Sequence, residues 1–135
     1  MSTDRVTAFF LDTNPMPSPR PRVRVIGKFA SVYMPKKYKD HTEELVKQLR
    51  MIDQEPFEGP VQVDAVYWCQ KPTTSKLSFP KPDIDNYEKT LYDAITKAGN
   101  LWIDDCQVVM ATHRKAWSPE DGHVGYSVSI KPFNQ

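Results

Sequence analysis

Val61-Gln62-Val63-Asp64-Ala65-Val66-Tyr67-Trp68-Cys69, followed after a long loop by Ile84-Asp85-Asn86-Tyr87-Glu88-Lys89-Thr90-Leu91-Tyr92-Asp93-Ala94-Ile95-Thr96-Lys97-Ala98, is the stretch that decides the fold. The first segment alternates, with Val61, Val63, Ala65, Tyr67 and Cys69 on one side, and this period of two predicts a half-buried strand. In the second, Ile84, Tyr87, Leu91, Ala94, Ile95 and Ala98 recur at helical spacing. Gly99-Asn100 ends that helix, as a C-terminal glycine should. Between them, Lys71 to Pro82 holds three prolines, three lysines and several hydroxyl residues without periodicity. A loop of that length just before an acidic motif is often functional.

Working outward, Thr7 to Leu11 reads as a strand. Asn14-Pro15-Met16-Pro17-Ser18-Pro19-Arg20-Pro21 is a stiff extended segment, because its prolines forbid helix. Arg22 to Ile26 and Phe29 to Tyr33 flank Gly27-Lys28 as a β-hairpin, its first arm basic on one side and apolar on the other. Met34-Pro35 introduces a helix from about Lys36 to Ile52, whose core stripe is Tyr38, Thr42, Leu45, Leu49 and Ile52. Downstream, Gln107 to Trp117 and His123 to Pro132 read as strands joined by the turn Ser118 to Gly122. The order predicts the α+β (mixed α/β) class: one small domain, residues 1–135, with a mixed β-sheet flanked by two main helices.

Composition bounds the function less than the distribution of charge does. A chain of 135 residues, 39% hydrophobic and 26% charged, suits one soluble domain with a single core. Its net charge of +1 argues for no partner by itself. Arg20, Arg22, Arg24 and Lys28 nevertheless sit together, followed by Lys36, Lys37 and Lys39, while acids gather from Asp83 to Asp105. Basic surface around an acidic centre could hold a phosphate backbone; the plain alternative is a solvated mix of surface charge. No apolar run is long enough to span a membrane, and Val6 to Leu11 is too short for a signal peptide, so a cytosolic location is expected. Cys69 and Cys106 form no metal-ligand spacing and are expected as reduced, buried thiols.

Chemistry concentrates at Asp83-Ile84-Asp85-Asn86. At about 100° per residue, Asp85, Lys89 and Asp93 share one sector of the helix opposite its apolar stripe. Asp104-Asp105 stands just before the next strand. If that strand runs beside the helix entrance, Asp83, Asp85 and one of the pair converge. Carboxylates brought to one point repel unless a cation neutralises them. Mg2+ suits such oxygen ligands and could activate a water against a phosphodiester, with Lys89 adding positive charge. The plain alternative is structural. Asp83 or Asp85 could be a helix cap, Asp85 with Glu88 fits a capping box, and Asp-Asp pairs are common in turns.

Resemblance weighs against that alternative. Asp83-Ile84-Asp85-Asn86-Tyr87-Glu88-Lys89, then Asp93-Ala94-Ile95-Thr96-Lys97-Ala98-Gly99, then Trp102-Ile103-Asp104-Asp105-Cys106-Gln107-Val108-Val109, resembles the signature of the RusA family of Holliday junction resolvases. In words the signature is Asp-x-Asp-Asn with a downstream lysine, Asp-Ala-Leu-x-x-Ala-Gly, and Asp-Asp-x-x-Val. The continuous match covers about a fifth of the chain. The resemblance implies a homodimeric, Mg2+-dependent endonuclease that cuts four-way DNA junctions with paired symmetric nicks. It implies Asp83, Asp85 and Asp105 as catalytic carboxylates and metal ligands, and Lys89 as the functional lysine. Asp104 could stand behind the ligands or be structural. One departure is visible: Asn100-Leu101 makes the loop before Trp102 one residue longer than the family pattern. The implied setting is bacterial or phage-infected host cytosol.

For DNA contact, Lys76 and Lys81 lie in the loop leading to Asp83. Of Arg114 and Lys115, alternation puts only one on the active side, and the matching family position favours Lys115. Trp68, Trp102 and Trp117 are expected in the core, and His113 and His123 carry no expected role. Two other readings share these residues: a flap- or fork-type branched-DNA nuclease, and a catalytically silent branched-DNA-binding protein.

Overall fold

The computed structural model describes residues 5–19, the backbone of 22–26 and 29–33, and residues 34–134. Its elements are β1 (Thr7–Leu11), β2 (Arg22–Ile26), β3 (Phe29–Tyr33), α1 (Lys36–Leu49), β4 (Val61–Cys69), α2 (Ile84–Ala98), β5 (Val108–Trp117) and β6 (Gly125–Pro132), with a single 3-10 turn at Asp105–Gln107. The expected α+β domain is the one found. Four strands form a mixed sheet in the order β1-β6-β4-β5, and β2-β3 is a separate hairpin. β4 is parallel to β5 and antiparallel to β6. The parallel pair needs a crossover, and α2 provides it.

β4 alternates strictly, with Val61, Val63, Ala65, Tyr67 and Cys69 buried. Tyr67 lies opposite Tyr126 of β6, and their rings meet edge to face. Both helices cover this side of the sheet. Tyr87 of α2 stacks on Tyr67, and His41 of α1 hydrogen-bonds Tyr126. Leu45 and Leu49 of α1 join Leu91, Ala94 and Ile95 of α2 in the core.

Several boundaries and burials differ from expectation. α1 stops at Leu49, not Ile52, because the Asn100 side chain donates to the carbonyls of Leu49 (2.9 Å) and Ile52 (2.7 Å) and closes the chain into a turn. β5 begins at Val108 and β6 at Gly125, each a residue or two late. Cys69 is buried as expected, but Cys106 is exposed, since it lies in the 3-10 turn outside the core. Trp102 is fully buried, whereas Trp68 is only half-buried. Trp68 points to the uncovered side of the sheet, with the Arg114 guanidinium 5.5 Å from its ring centre. Arg20, Gly27 and Lys28 lie outside the described residues, as do the side chains of Arg22 and Arg24, so the basic cluster and the hairpin turn are not placed.

The proline-rich segment is a strap that leads from β1 to α2. The Met16 N–H donates to the Tyr126 hydroxyl (3.1 Å), and the Ser18 N–H donates to the carbonyl of Asn86 (2.9 Å). Proline suits the role, because each one removes a donor that the strap would otherwise have to satisfy.

Candidate active site

α2 opens with Asp83 at the N-cap position, φ −65° and ψ 140°, and the Asn86 N–H bonds its backbone carbonyl at 3.1 Å. The Asp83 carboxylate makes no capping bond. Nor does the Asp85–Glu88 capping box form: Asp85 is already inside the helix, and Glu88 turns toward β5, 3.7 Å from His113. Both Asp83 and Asp85 are exposed. One turn on, Lys89 Nζ pairs with Asp93 Oδ2 at 3.0 Å. The hydrogen bond to Asp93 holds the Lys89 ammonium above its ordinary pKa, so it is charged at any working pH.

The Asp104-Asp105 pair divides its labour. Asp104 caps the 3-10 turn, accepting from the Cys106 N–H at 3.4 Å in a capping box completed by Gln107. Gln107 is the anchor of this turn. Its Oε1 accepts from the N–H groups of Ile103 (2.8 Å) and Asp104 (3.2 Å), and its Nε2 donates to the carbonyls of Phe57 (2.7 Å) and Gly59 (2.9 Å). Asp104 is thus structural, and Asp105 is left exposed beside it.

Asp105 has a raised pKa. Partial desolvation contributes most, then the hydrogen bond and charge of Asp104, then the charge of Asp93, with Lys89 pulling the other way. Asp105 thus lies within electrostatic reach of Lys89 and Asp93, the ion pair beyond the first turn of α2. The helix entrance itself is fastened at the other end of β5, where Lys115 Nζ donates to the carbonyl of Pro82 at 2.7 Å. Among the described residues, no three His, Cys, Asp or Glu side chains stand close enough together to hold a metal ion.

Asn100 and Leu101 are built into this frame. Asn100 ties the end of α1, Leu101 is buried, and the Leu101 carbonyl accepts from the Phe57 N–H at 2.9 Å. Trp102 follows, buried, with its indole N–H on Thr96 Oγ1 at 2.8 Å. The chain is thus fixed ahead of Asp104, between the end of α2 and a pinned tryptophan.

His113 was not singled out by sequence pattern, and it bridges α2 to the sheet. Its Nδ1 meets the Tyr67 hydroxyl at 2.8 Å, and its Nε2 meets the Tyr92 hydroxyl at 3.0 Å. Burial lowers its pKa, against the opposing pull of Glu88 and Asp64. A neutral imidazole offers one donor and one acceptor, which one tyrosine accepting and the other donating would satisfy. The only sequence signal was that 113 is an odd-numbered, hence inward, position of β5. Of the candidate DNA contacts, Lys76 and Lys81 are exposed in the loop before α2, and Lys115 faces that loop while Arg114 faces the opposite side.

The family model described as endodeoxyribonuclease RusA matches residues 12–130, from just after β1 into β6. The chain belongs to the RusA family of endodeoxyribonucleases. No curated protein matches it. As a RusA-family protein it is an enzyme that hydrolyses phosphodiesters within DNA. The match takes in the proline strap, the lysine loop, both acidic blocks and, of the central sheet, β4, β5 and most of β6. No helix of the described residues is long and apolar enough to cross a membrane.

Proposed function

We propose that this RusA-family endonuclease resolves four-way (Holliday) junctions by paired symmetric nicks, as a homodimer, using Mg2+ held by Asp83, Asp85 and Asp105. The observation that carries the site is the freedom of its carboxylates. Asp83 occupies a cap position without capping, and Asp105 is exposed and takes no part in the cap that its neighbour Asp104 makes. The donor types suit the ion, hard oxygen ligands of which Mg2+ needs one or two with water and phosphate filling the rest, although these three carboxylates do not stand close enough together in this structure to share one ion without movement. Bound there, Mg2+ would polarise the scissile phosphate and lower the pKa of an attacking water.

The chain's own residues do the rest. Lys89, held charged by Asp93, offsets negative charge gathering on the phosphate as the bond breaks. The raised pKa of Asp105 reflects crowding by Asp104 and Asp93, and a cation would relieve it. Lys76, Lys81 and Lys115 hold phosphates on the approach to the site. Two copies of one site, related by a twofold axis, match the symmetry of a four-way junction. The setting is the cytosol of a bacterium or of a phage-infected host.

Contrasting the two neighbouring aspartates tests the assignment. Asp105→Asn should abolish Mg2+-dependent cutting and leave folding and junction binding intact. Asp104→Ala should lower the melting temperature by removing the cap and retain most of the cutting. The reverse pattern would exchange the roles of the pair and sink the proposed ligand set.

A further inference from the structure

The loop from Lys71 to Pro82 is ordered by its backbone and apolar at its surface. The Ser75 N–H bonds the Pro72 carbonyl (3.1 Å), and the Leu77 N–H bonds Ser75 Oγ (3.3 Å). Two side chains at the end of β5 then fasten it. The Trp117 indole N–H donates to the Leu77 carbonyl (2.9 Å), and Lys115 Nζ donates to the Pro82 carbonyl (2.7 Å). Pro80 is buried under the loop. Between these fastenings Leu77 and Phe79 are left 39% and 51% exposed. A lone exposed apolar residue needs no explanation. Here two of them stand in three residues, on a tethered segment, flanked in the chain by exposed Lys76 and Lys81 and with Lys115 Nζ 5.6 Å from the Phe79 ring centre. Asp83 follows the second fastening directly.

We propose that Phe79, with Leu77 beside it, is a stacking platform for an unpaired or unstacked nucleobase at the branch point of the DNA. The occupant follows from complementarity. A nucleotide has an apolar π-face and an anionic phosphate, and this patch offers an aromatic face with one ammonium group beside it and exposed lysines on either side in the chain. Bases inside linear duplex have both faces covered by their neighbours, so the platform engages only where stacking is interrupted. Fixing the loop beforehand removes ordering entropy that binding would otherwise oppose. The patch thereby supplies structure selectivity that the lysines, which answer to any phosphate backbone, cannot. The inference rests on the branched-DNA reading above and names the element that recognises the branch.

The test uses the Asp85→Asn protein, to prevent cutting, alone and combined with Phe79→Ala or Phe79→Trp. Each binds three probes: a four-way junction with 2-aminopurine at the branch point, a flap with 2-aminopurine at its base, and a linear duplex of the same sequence. Phe79→Ala should weaken junction binding by about tenfold, abolish the 2-aminopurine emission change and leave duplex affinity unaltered. Phe79→Trp should restore both signals, which a merely misfolded loop would not allow. Equal junction affinity and an unchanged emission response in Phe79→Ala overturn the platform. If the parent protein shows no junction preference, but Phe79→Ala loses affinity and emission response on the flap, the platform stands and the four-way-junction reading falls.

Discussion

At the scale of single residues, charge is sorted by duty. Asp104 and Gln107 hold a turn, Asp93 holds a lysine, and Asp83, Asp85 and Asp105 are left over. Lys89→Gln therefore has a defined cost. It removes positive charge from the neighbourhood of Asp105, and we predict a loss of cutting rate of about a hundredfold. Junction affinity should stay within about twofold and stability nearly unchanged, because an exposed i,i+4 pair contributes little. Single-turnover cleavage beside a binding titration separates the two, and a large loss of affinity at unchanged rate would make Lys89 a phosphate anchor instead. Gly99 is the other residue whose type is dictated. It ends α2 at φ 78°, where its N–H bonds the Ile95 carbonyl at 3.1 Å. Gly99→Ala should destabilise by about 1 kcal/mol in urea unfolding, without touching cutting; no loss would mean the left-handed cap is dispensable.

At the scale of elements, β4, α2 and β5 set the distances of the site, and their joints are aromatic and imidazole groups. His41 and His113 both have pKa values pushed below the ordinary 6.5 by burial. As pH falls below about 6.5, the unfolded chain takes up protons that the folded chain resists, so stability should drop on acidification. Asp105, raised, acts with the opposite sign, but only in the carboxylate range lower down. Urea midpoints should fall between neutral pH and about 5.5, and His41→Gln with His113→Asn should flatten the curve. A midpoint that rises on acidification contradicts this. At the β1–β6 joint, a Cβ on Gly125 would run into the Leu11 carbonyl oxygen and the Phe10 ring, so Gly125→Ala should cost about 1–3 kcal/mol.

How much of this was legible in sequence follows from what each signal measures. Alternation over Val61–Cys69 and the stripe of α2 gave their bounds correctly, because burial on one side writes itself into residue type. α1 overran by a turn, since nothing near Ile52 announces that Asn100, 51 residues beyond Leu49, will bond its carbonyl. The same limit hid His113: two tyrosine hydroxyls from β4 and α2 define its role, and neither is its sequence neighbour. The Asp-x-Asp and Asp-Asp blocks stood out by identity. The division of labour between Asp104 and Asp105 did not, because it depends on which carboxylate faces the Cys106 N–H.

At the scale of the molecule, the net charge is +1, with Lys76 and Lys81 exposed on the loop ahead of Asp83 and Lys115 facing that loop. DNA binding should weaken steeply with salt, and Lys76→Ala or Lys81→Ala should each reduce the slope of log affinity against log salt by about 1 if each neutralises one phosphate. The central claim is that the spared carboxylates hold Mg2+ to cut branched DNA, and one incubation tests it most directly. A labelled four-way junction is mixed with the protein or with Asp85→Asn, with and without Mg2+, beside a linear duplex and a flap. Paired symmetric nicks in the junction that require Mg2+ and vanish in Asp85→Asn are the predicted result. Junction binding without cutting by the unmodified protein, or cutting that survives Asp85→Asn, would contradict it.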